Sequence, residues 1–316
     1  MKIFNDKTKL RESLTAYLFL APFLGVFLVF LGYPVIYSLY LSLRATSFNT
    51  DWYNVFGSMK FVGLNNYQEL LFNDPRFWWS LYRTLVYAAL TIPTSIVIGL
   101  LLAMLLNNKL RARGFFRSSF YLPNVLDLYV IGTIWVLLFS PNYGLVDVVL
   151  NKLNITYFST TGLLGNPWTA LPAIAFVVVV KGAGFGMILF LAAIQNIPDS
   201  IYEAADIDGA SWWEKLRYIT LPLVKPVMLF MIITGTMNAL NAFTEIYAMA
   251  STRYGYGGPF IEFGGRSVGS TSISGLYLYQ LFERGEYGKA AALSYLLMLL
   301  AFIISFINMK WLKAEK

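Results

Sequence analysis

Six long apolar runs, separated by segments rich in charged and turn-forming residues, dominate the sequence. A helix that crosses the hydrocarbon core of a bilayer needs about 20 mostly apolar residues, and each run reaches that length. The predicted spans lie near residues 13–43, 84–108, 118–140, 168–194, 227–249 and 290–309. The pattern therefore predicts an all-α, polytopic membrane protein with six transmembrane helices, folded as a single transmembrane domain over residues 1–316.

Helix breakers and single charges interrupt some of these runs. Gly32 and Pro34 predict a kink in the first span. Because this span follows a charged start and is long, we expect it to be a retained anchor and not a cleaved signal peptide. Asp127, Lys181 and Glu245 are the charged residues inside the third, fourth and fifth spans. Because a charge at the centre of a membrane helix costs about 2.5–3.5 kcal/mol on insertion scales, these side chains are expected to have partners or to face water.

The composition supports a membrane protein and excludes several kinds of chemistry. Hydrophobic residues make up 57% of the chain and charged residues only 13%, against about 25% in soluble domains. The absence of Cys and His excludes disulfides, thiolate nucleophiles and the commonest metal ligand. The net charge of +7 is spread in short groups between the apolar runs, which indicates orientation in a membrane and not nucleic-acid binding.

Lys and Arg are unevenly distributed between the two sides of the predicted membrane protein. Six spans place both termini on one side, and this side carries 14 basic residues against nine on the other. Because basic residues are enriched in cytoplasmic loops, we expect both termini and the loop 195–226 to be cytoplasmic. The segment 61–79 is expected to form short elements at the opposite membrane surface, with Trp78 and Trp79 as interfacial anchors.

The loop 195–226 has the signals of two short helices joined by a turn. Asp199 is acidic and lies near the expected positive end of the first helix, and Gly209 is a stop signal. Ser211 precedes Glu214 by three residues, which is the capping-box pattern of a second helix. The sequence thus predicts a helix, a glycine turn and another helix at the inner membrane surface.

This loop resembles the EAA signature of the permease subunits of ABC importers. The letters "EAA" at 203–205, "DGAS" at 208–211 and "ITLP" at 219–222 match it and are similar to its carbohydrate branch. Other motifs are similar, in order along the chain, to the maltose-type first permease: "FVGLNNYQELL", "FFRSSFYLPNV", "GLLGNP", "GGP" and "YGKAAALS". The resemblance therefore covers nearly the whole chain.

The resemblance implies a type I ABC importer permease fold in the bacterial cytoplasmic membrane and a set of partners. It implies a heterodimer with a second permease, two ATPase subunits that carry ATP and Mg, and an extracytoplasmic solute-binding protein that delivers a carbohydrate. This chain would bind no cofactor and catalyse no reaction itself. The residues implied in coupling to the ATPase are Glu203, Ala204, Ala205, Asp208, Gly209, Leu221 and Pro222. The alternative is an ordinary interfacial helix between two spans.

Polar residues recur at helical spacing in the fifth span. Thr234, Asn238, Asn241 and Glu245 fall at i, i+4, i+7 and i+11, which is one face of a helix. Amide side chains both donate and accept hydrogen bonds, as sugar hydroxyls require, and the resemblance implies sugar contacts at both asparagines. The predicted substrate pathway consists of these four residues with Lys181, Gly182 and Phe185. The alternative is that the stripe packs against a partner subunit.

The run "KGAGFG", which begins at Lys181, differs from the resembled family in its lysine. Two interpretations of Lys181 stay open: a counterion for an acidic sugar such as a uronide, or an internal ion pair with Asp127 or Glu245. The small residues that follow predict a tight helix contact.

Two other functions compete with the importer. Asp127, Lys181 and Glu245 could form the relay of an ion-coupled secondary carrier, and an intramembrane enzyme acting on lipid-linked sugars is the second rival. Neither accounts for the EAA block. The segment 264–272, "GGRSVGSTS", is similar to a phosphate-binding loop but lacks its lysine and a preceding buried strand, so we reject a nucleotide site there. It belongs to an insertion relative to the family.

Overall fold

Helices account for most of the residues that the computed structural model describes, which are 2–46, 59–108, 111–155, 160–251, 255 and 257–313. The α-helices are α1 (Lys2–Phe27), α2 (Tyr33–Ser42), α3 (Asn65–Gln68), α4 (Pro75–Asn107), α5 (Arg113–Val125), α6 (Leu128–Leu138), α7 (Leu145–Lys152), α8 (Ala170–Gln195), α9 (Asp199–Ile207), α10 (Trp212–Lys215), α11 (Leu221–Leu240), α12 (Thr244–Ile246), α13 (Ser274–Glu283) and α14 (Tyr287–Lys313). Single π-helical turns lie at Leu28–Gly32, Glu69–Asn73, Leu216–Thr220 and Tyr247–Ser251. The strands are β1 (Arg44–Ala45), β2 (Lys60–Phe61), β3 (Phe260–Phe263) and β4 (Arg266–Gly269).

The count of apolar helices agrees with the predicted number of spans. Within the described ranges, five helical stretches are long and apolar enough to cross a membrane, and a sixth results if the bent pair α5 and α6 forms one span. The all-α, polytopic fold is thus confirmed. The single domain over 1–316 stays a prediction.

The helix of the second span begins at Pro75 and not at residue 84, so the segment before it is shorter than predicted. Trp79 lies inside this helix and is only 7% exposed. Its Nε1 donates a hydrogen bond of 2.8 Å to the Gly269 carbonyl, and its ring packs against Phe263. The prediction that Trp79 is an interfacial anchor is therefore wrong, because the protein itself buries the ring.

Contacts within the chain form two compact units, and the first combines residues 1–70 with 281–295. In this unit α1, a π turn and α2 follow one another without a break. The π turn comes just before Pro34, whose missing N–H and ring disturb the regular hydrogen bonding of an α-helix, so the irregularity lies where the sequence predicts it. The side-chain amide of Asn66 then donates to the carbonyls of Ser42 and Arg44, which ties α3 to the end of α2.

The second unit, residues 71–280 with 296–316, is built around the long pair α4 and α8. Glycines allow the helices to approach closely: a Cβ on Gly99 would lie 3.0 Å from the backbone of Gly186. A Cβ on Gly184 would lie 2.1 Å from the Phe120 carbonyl of α5. The small-residue run of the fourth span therefore makes the tight contacts that its sequence predicts.

The third predicted span is broken. Helices α5 and α6 meet at a bend of 98°, so a continuous helix over 118–140 is wrong. Asp127 stands at the bend, where its carboxylate accepts hydrogen bonds from the N–H groups of Tyr129 (2.8 Å) and Val130 (3.3 Å). An acidic residue inside an apolar run thus marks the N-cap of a new helix, a role that hydropathy does not distinguish from a buried charge.

The fifth predicted span also breaks earlier than expected. Its helix α11 ends at Leu240, and α12 starts only at Thr244, so the expectation of one helix over 227–249 is wrong. On the other side, α10, the π turn and α11 run continuously from Trp212 to Leu240 despite two prolines. The first, Pro222, lies two residues after the π turn at Leu216–Thr220, where the hydrogen bonding already departs from the α-helical pattern.

Residues 260–270 contain a β-hairpin. Strands β3 and β4 pair antiparallel in the register Phe260↔Gly269 to Phe263↔Arg266. The turn is Gly264–Gly265, with φ of +56° and +71°, which fits the two-residue hairpin turn that needs positive φ twice. The segment is thus a hairpin and not a phosphate-binding loop.

Asp74, the N-cap of α4, fastens this hairpin. It accepts hydrogen bonds from Arg76 and Tyr277 and forms an ion pair of 3.4 Å with Arg266 of β4. Burial raises the pKa of Asp74, but the hydrogen bonds from Arg76 and Tyr277 and the charge of Arg76 outweigh burial, so the net pKa lies below its usual value.

Candidate functional site

A cavity of about 460 Å³ lies in the second unit between α4, α8, α11 and the start of α12. Its volume falls in the range of about 300–1,000 Å³ that is usual for small-molecule sites. All the residues of the predicted substrate pathway line it: Lys181, Gly182, Phe185, Thr234, Asn238, Asn241 and Glu245. The break between α11 and α12 does not separate Glu245 from the stripe on α11, because the chain folds back onto the same cavity.

Hydrogen-bonding capacity differs among the cavity residues Thr234 and Asn238 of α11 and Asn241 at its C-cap. Thr234 donates its hydroxyl to the Phe230 carbonyl at 2.7 Å, and Asn241 donates its amide to the Met237 carbonyl at 2.9 Å. Asn238 makes no hydrogen bond with any described residue and is exposed. Its amide group therefore keeps both donors and its acceptor for a ligand.

Glu245 is held by a tyrosine that the sequence analysis missed. The Tyr87 hydroxyl donates a hydrogen bond of 2.7 Å to Glu245 Oε1, and the two side chains are only 2% and 6% exposed. A hydrogen bond to a charged group contributes about 1.5–3 kcal/mol, so Tyr87 offsets part of the cost of burying this carboxylate. The only sequence signal was a tyrosine inside an apolar run, since the two residues lie 158 positions apart.

Lys181 has a neutral partner. Its Nζ donates a hydrogen bond of 3.2 Å to the carbonyl of Asn124, in the last turn of α5. Within the described ranges no carboxylate lies within 4.0 Å of this ammonium, so the predicted ion pair with Asp127 or Glu245 is not formed there. A cation near the C-terminal end of a helix interacts favourably with the helix dipole. Lys181 therefore stabilises the end of α5, and Asp127 caps the start of α6 on the other side of the bend.

The rest of the cavity wall is mostly apolar. Gly182 has no atom within 4 Å of the position of a Cβ, so its missing side chain leaves room in the cavity. The rings of Phe185 and Phe243 line the wall, and Phe243 packs on Tyr279 at a ring distance of 4.7 Å. A cavity with apolar rings and a few polar groups suits a ligand that has both kinds of surface.

The loop 195–226 folds as its sequence predicts. Helix α9 is followed by Gly209 with φ of +74°, a backbone conformation that glycine adopts without strain. Ser211 and Glu214 form the capping box that starts α10. Lys215 of α10 pairs with Asp206 of α9, so the two helices are linked across the glycine turn.

The predicted coupling residues of this loop are largely free. Glu203, Ala204, Asp208, Gly209 and Pro222 are exposed, and Ala205 and Leu221 are half-buried. The structure thus brings the "EAA" segment and the glycine turn together on an uncovered surface that continues through α10 into the helix bearing Asn238.

Metal chemistry has no support in the described ranges, which contain no group of three or more His, Cys, Asp or Glu side chains able to hold an ion. The acidic residues of the cavity region are instead used singly, as an N-cap at Asp127 and as the acceptor of the Tyr87 hydroxyl at Glu245.

Comparisons with known proteins agree with this architecture. Residues 95–312 match the family model described as binding-protein-dependent transport system inner membrane component. The lactose transport system permease protein LacF of Rhizobium radiobacter is 36% identical, with 95% of this chain and 97% of LacF covered. The trehalose/maltose transport system permease protein MalF of Thermococcus litoralis is 34% identical, with 97% and 96% covered.

A solved structure has the same fold. It is the crystal structure of a bacterial ABC transporter involved in the import of the acidic polysaccharide alginate, one chain of which gives a TM-score of 0.75 at 23% identity. The match covers 98% of this chain and 98% of that chain.

Proposed function

Because this chain belongs to the family of binding-protein-dependent transport system inner membrane components, we propose that its cavity is part of the path of a sugar or oligosaccharide through an ATP-driven importer. The chain is a multi-pass membrane permease, a transport component and not an enzyme. The observation that carries the proposal is the gathering of the whole predicted substrate pathway around one cavity.

The chemistry of the cavity suits a carbohydrate. A sugar presents hydroxyls that donate and accept, together with C–H faces that pack on aromatic rings. The side-chain amide of Asn238 makes no hydrogen bond with a described residue. Asn241 uses its side-chain nitrogen for the Met237 carbonyl, so its side-chain oxygen can still accept a hydrogen bond from a ligand. Phe185 provides an apolar face on the same cavity. The names of relatives support this ligand class, since they include lactose, trehalose/maltose and arabinooligosaccharide permeases.

Replacing Asn238 by leucine tests this role. The change removes the free amide and should lower sugar uptake by a few-fold to about tenfold, as expected for hydrogen bonds that contribute about 0.5–1.5 kcal/mol each. Uptake would be measured in proteoliposomes that contain the partner subunits. The control is Thr236→Val on the same helix, whose hydroxyl donates to the Ile232 carbonyl and does not line the cavity. Equal uptake by Asn238→Leu and wild type would remove Asn238 from the path.

We further propose that the loop 195–226 lies in the cytoplasm and docks on a partner ATPase that holds ATP and Mg. The exposed Glu203 offers a carboxylate to a cationic partner, and the small Ala204 allows close helix approach. The link between Lys215 and Asp206 makes the two helices a unit that can move together. Motion of this unit would pass directly into α11, which carries Asn238 and Asn241.

Two substitutions test the coupling surface. Glu203→Lys reverses the exposed charge, and Gly209→Pro forces φ from +74° to about −65°, which the turn does not tolerate. Both should reduce co-purification of the ATPase and stimulated ATP hydrolysis. Ser200→Lys, on the same helix outside the signature, is the charge control. Unchanged ATPase binding and hydrolysis in both variants would refute docking at this loop.

The remaining partners follow from the same proposal. A second permease would form a heterodimer with this chain, and a solute-binding protein outside the bacterial cytoplasmic membrane would deliver the sugar. The exposed apolar side chains of α11, which include Leu223, Phe230 and Met237, support a membrane or protein neighbour on that helix. Both termini would be cytoplasmic, as the distribution of Lys and Arg predicts.

The identity of the sugar rests on the binding protein, and the uronide interpretation of Lys181 stays a prediction. A melting-shift screen of the cognate binding protein would identify the ligand, since binding to the native state raises its Tm. The ion-coupled carrier remains the alternative. Its proposed relay has little support, because Asp127 caps a helix and Lys181 binds the Asn124 carbonyl.

A further inference from the structure

Arg83 of α4 is a buried cation that the transport path does not use. It lies one helical turn before Tyr87, is 5% exposed and does not line the cavity. Its Nε and Nη2 atoms are buried and have no hydrogen-bond partner among the residues that the structure describes. Within the described part of the chain no carboxylate lies within 4.0 Å of the guanidinium, and Trp79 covers it at 5.5 Å from the ring centroid.

Two buried hydroxyl groups also lack a hydrogen-bond partner among the described residues. They lie on the segment 269–274, which is attached to this part of α4. Ser270 and Thr271 are fully buried, and neither side-chain oxygen has a hydrogen-bond partner. Their segment is fixed to α4 on either side of them. Before them, the Gly269 carbonyl accepts from Trp79 Nε1 at 2.8 Å, and after them, Ser274 donates its N–H to Thr84 Oγ1 at 2.9 Å.

The two attachment points bracket Arg83 along the helix. Residues 79 and 83 are four apart and share a helix face, and residue 84 directly follows Arg83. The guanidinium therefore lies on the side of α4 that faces the segment 269–274. Trp79, which covers the guanidinium, also binds the Gly269 carbonyl, so the unsatisfied donors of Arg83 face the buried layer in which the segment carries Ser270 and Thr271.

The chemistry of this layer indicates its ligand. A guanidinium can only donate hydrogen bonds, whereas a hydroxyl both donates and accepts, so the two hydroxyls could satisfy donors of the guanidinium but could not neutralise its charge. A buried charge without a counter-charge costs several kcal/mol, which a neutral acceptor does not fully offset. The near-zero exposure of these residues excludes a large ligand.

We propose that Arg83, Ser270 and Thr271 hold one small monatomic anion of the chloride class between α4 and the segment 269–274. The anion would neutralise the guanidinium and help to fix the β3–β4 region on α4. The site is separate from the cavity and does not depend on the identity of the transported solute.

Thermal unfolding of the purified permease with its partner subunits tests the site. Chloride is titrated against gluconate at equal ionic strength, and the apparent Tm should rise with chloride in equal steps per tenfold increase once the Kd is exceeded. Arg83→Gln should abolish this dependence. Arg266→Gln, which changes a half-exposed arginine on β4, should keep it. Equal Tm values in the two salts for the wild-type complex would overturn the proposal.

A second measurement uses only the wild-type complex, so it does not depend on whether a variant folds. Crystals of the wild-type complex grown with bromide should show an anomalous peak within hydrogen-bonding distance of the Arg83 guanidinium. An ordered water at this position without anomalous signal would refute the anion site.

Discussion

At Gly184, α8 packs closely against α5, and replacement of this glycine by alanine tests the packing that frames the cavity. The added Cβ would lie 2.1 Å from the Phe120 carbonyl oxygen and 2.6 Å from the Cα of Tyr121. These are backbone atoms, so no side chain can turn away to make room. Either α5 must move away from α8, or the contact between the two helices is lost.

Two opposing effects decide the magnitude of the change. Alanine in a helix interior is about 1 kcal/mol more favourable than glycine. Overpacking costs about 1–3 kcal/mol, and backbone contacts this short place Gly184→Ala at the upper end. The net destabilisation is therefore about 2 kcal/mol. At about 2–4 °C per kcal/mol for a domain of this size, the apparent Tm should fall by about 4–8 °C.

The assay is the tryptophan fluorescence of the purified complex during heating, with Gly182→Ala as the matched control. Gly182 lies two residues earlier in the same helix, and no atom lies within 4 Å of its Cβ position. The control should melt at the wild-type temperature or slightly above it. If Gly184→Ala also melts at or above the wild-type temperature, the close approach of α8 to α5 is refuted.

Three further predictions concern hydrogen bonds of charged groups. Tyr87→Phe leaves the buried Glu245 carboxylate without its donor and should destabilise the complex by about 1.5–3 kcal/mol, measured by denaturant unfolding, whereas equal stability would mean that the bond contributes nothing. Lys181→Met removes the cation at the end of α5 and should reduce uptake; a loss confined to anionic sugars would support the uronide interpretation, and equal loss for neutral sugars would refute it. Because the pKa of Asp74 is lowered in the folded state, its stabilising contribution is complete above the unfolded value of 3.8 and is lost as the pH falls through the folded pKa. Asp74→Asn should therefore lower the Tm at neutral pH and differ least from wild type at the acid end, and a constant difference would contradict this.

The hydropathy pattern predicted the number of spans because the bilayer imposes a length of about 20 apolar residues on any helix that crosses it. Local chemistry predicted the fold of the loop 195–226 equally well. The capping box of Ser211 and Glu214 and the turn at Gly209 depend only on neighbours in sequence, and both are present.

The breaks in the third and fifth spans could not be predicted from hydropathy. A break of a few residues hardly changes the mean hydropathy of a window, so the bend before α6 and the end of α11 at Leu240 leave no signal. Asp127 was the one local clue. In an apolar run an acidic residue indicates either a buried charge or an N-cap, and the second role is the one observed.

The partners of the charged residues in the cavity depend on tertiary structure. Glu245 receives its hydrogen bond from Tyr87, 158 positions earlier, and Lys181 donates to Asn124, 57 positions earlier. No spacing rule connects such pairs. Thr234 and Asn238 of α11, in contrast, lie four positions apart, so helical periodicity alone placed them on one face. Asn241 and Glu245 lie beyond the end of α11 and reach the same cavity because the chain folds back onto it.

The measurement that most directly tests the central claim is sugar accumulation in proteoliposomes with the sugar supplied by its cognate binding protein. Accumulation is expected only when this chain, the second permease and the ATPase subunits are present with ATP, and it should not depend on an ion gradient. Accumulation by this chain alone under a proton or sodium gradient, without ATP, would contradict it.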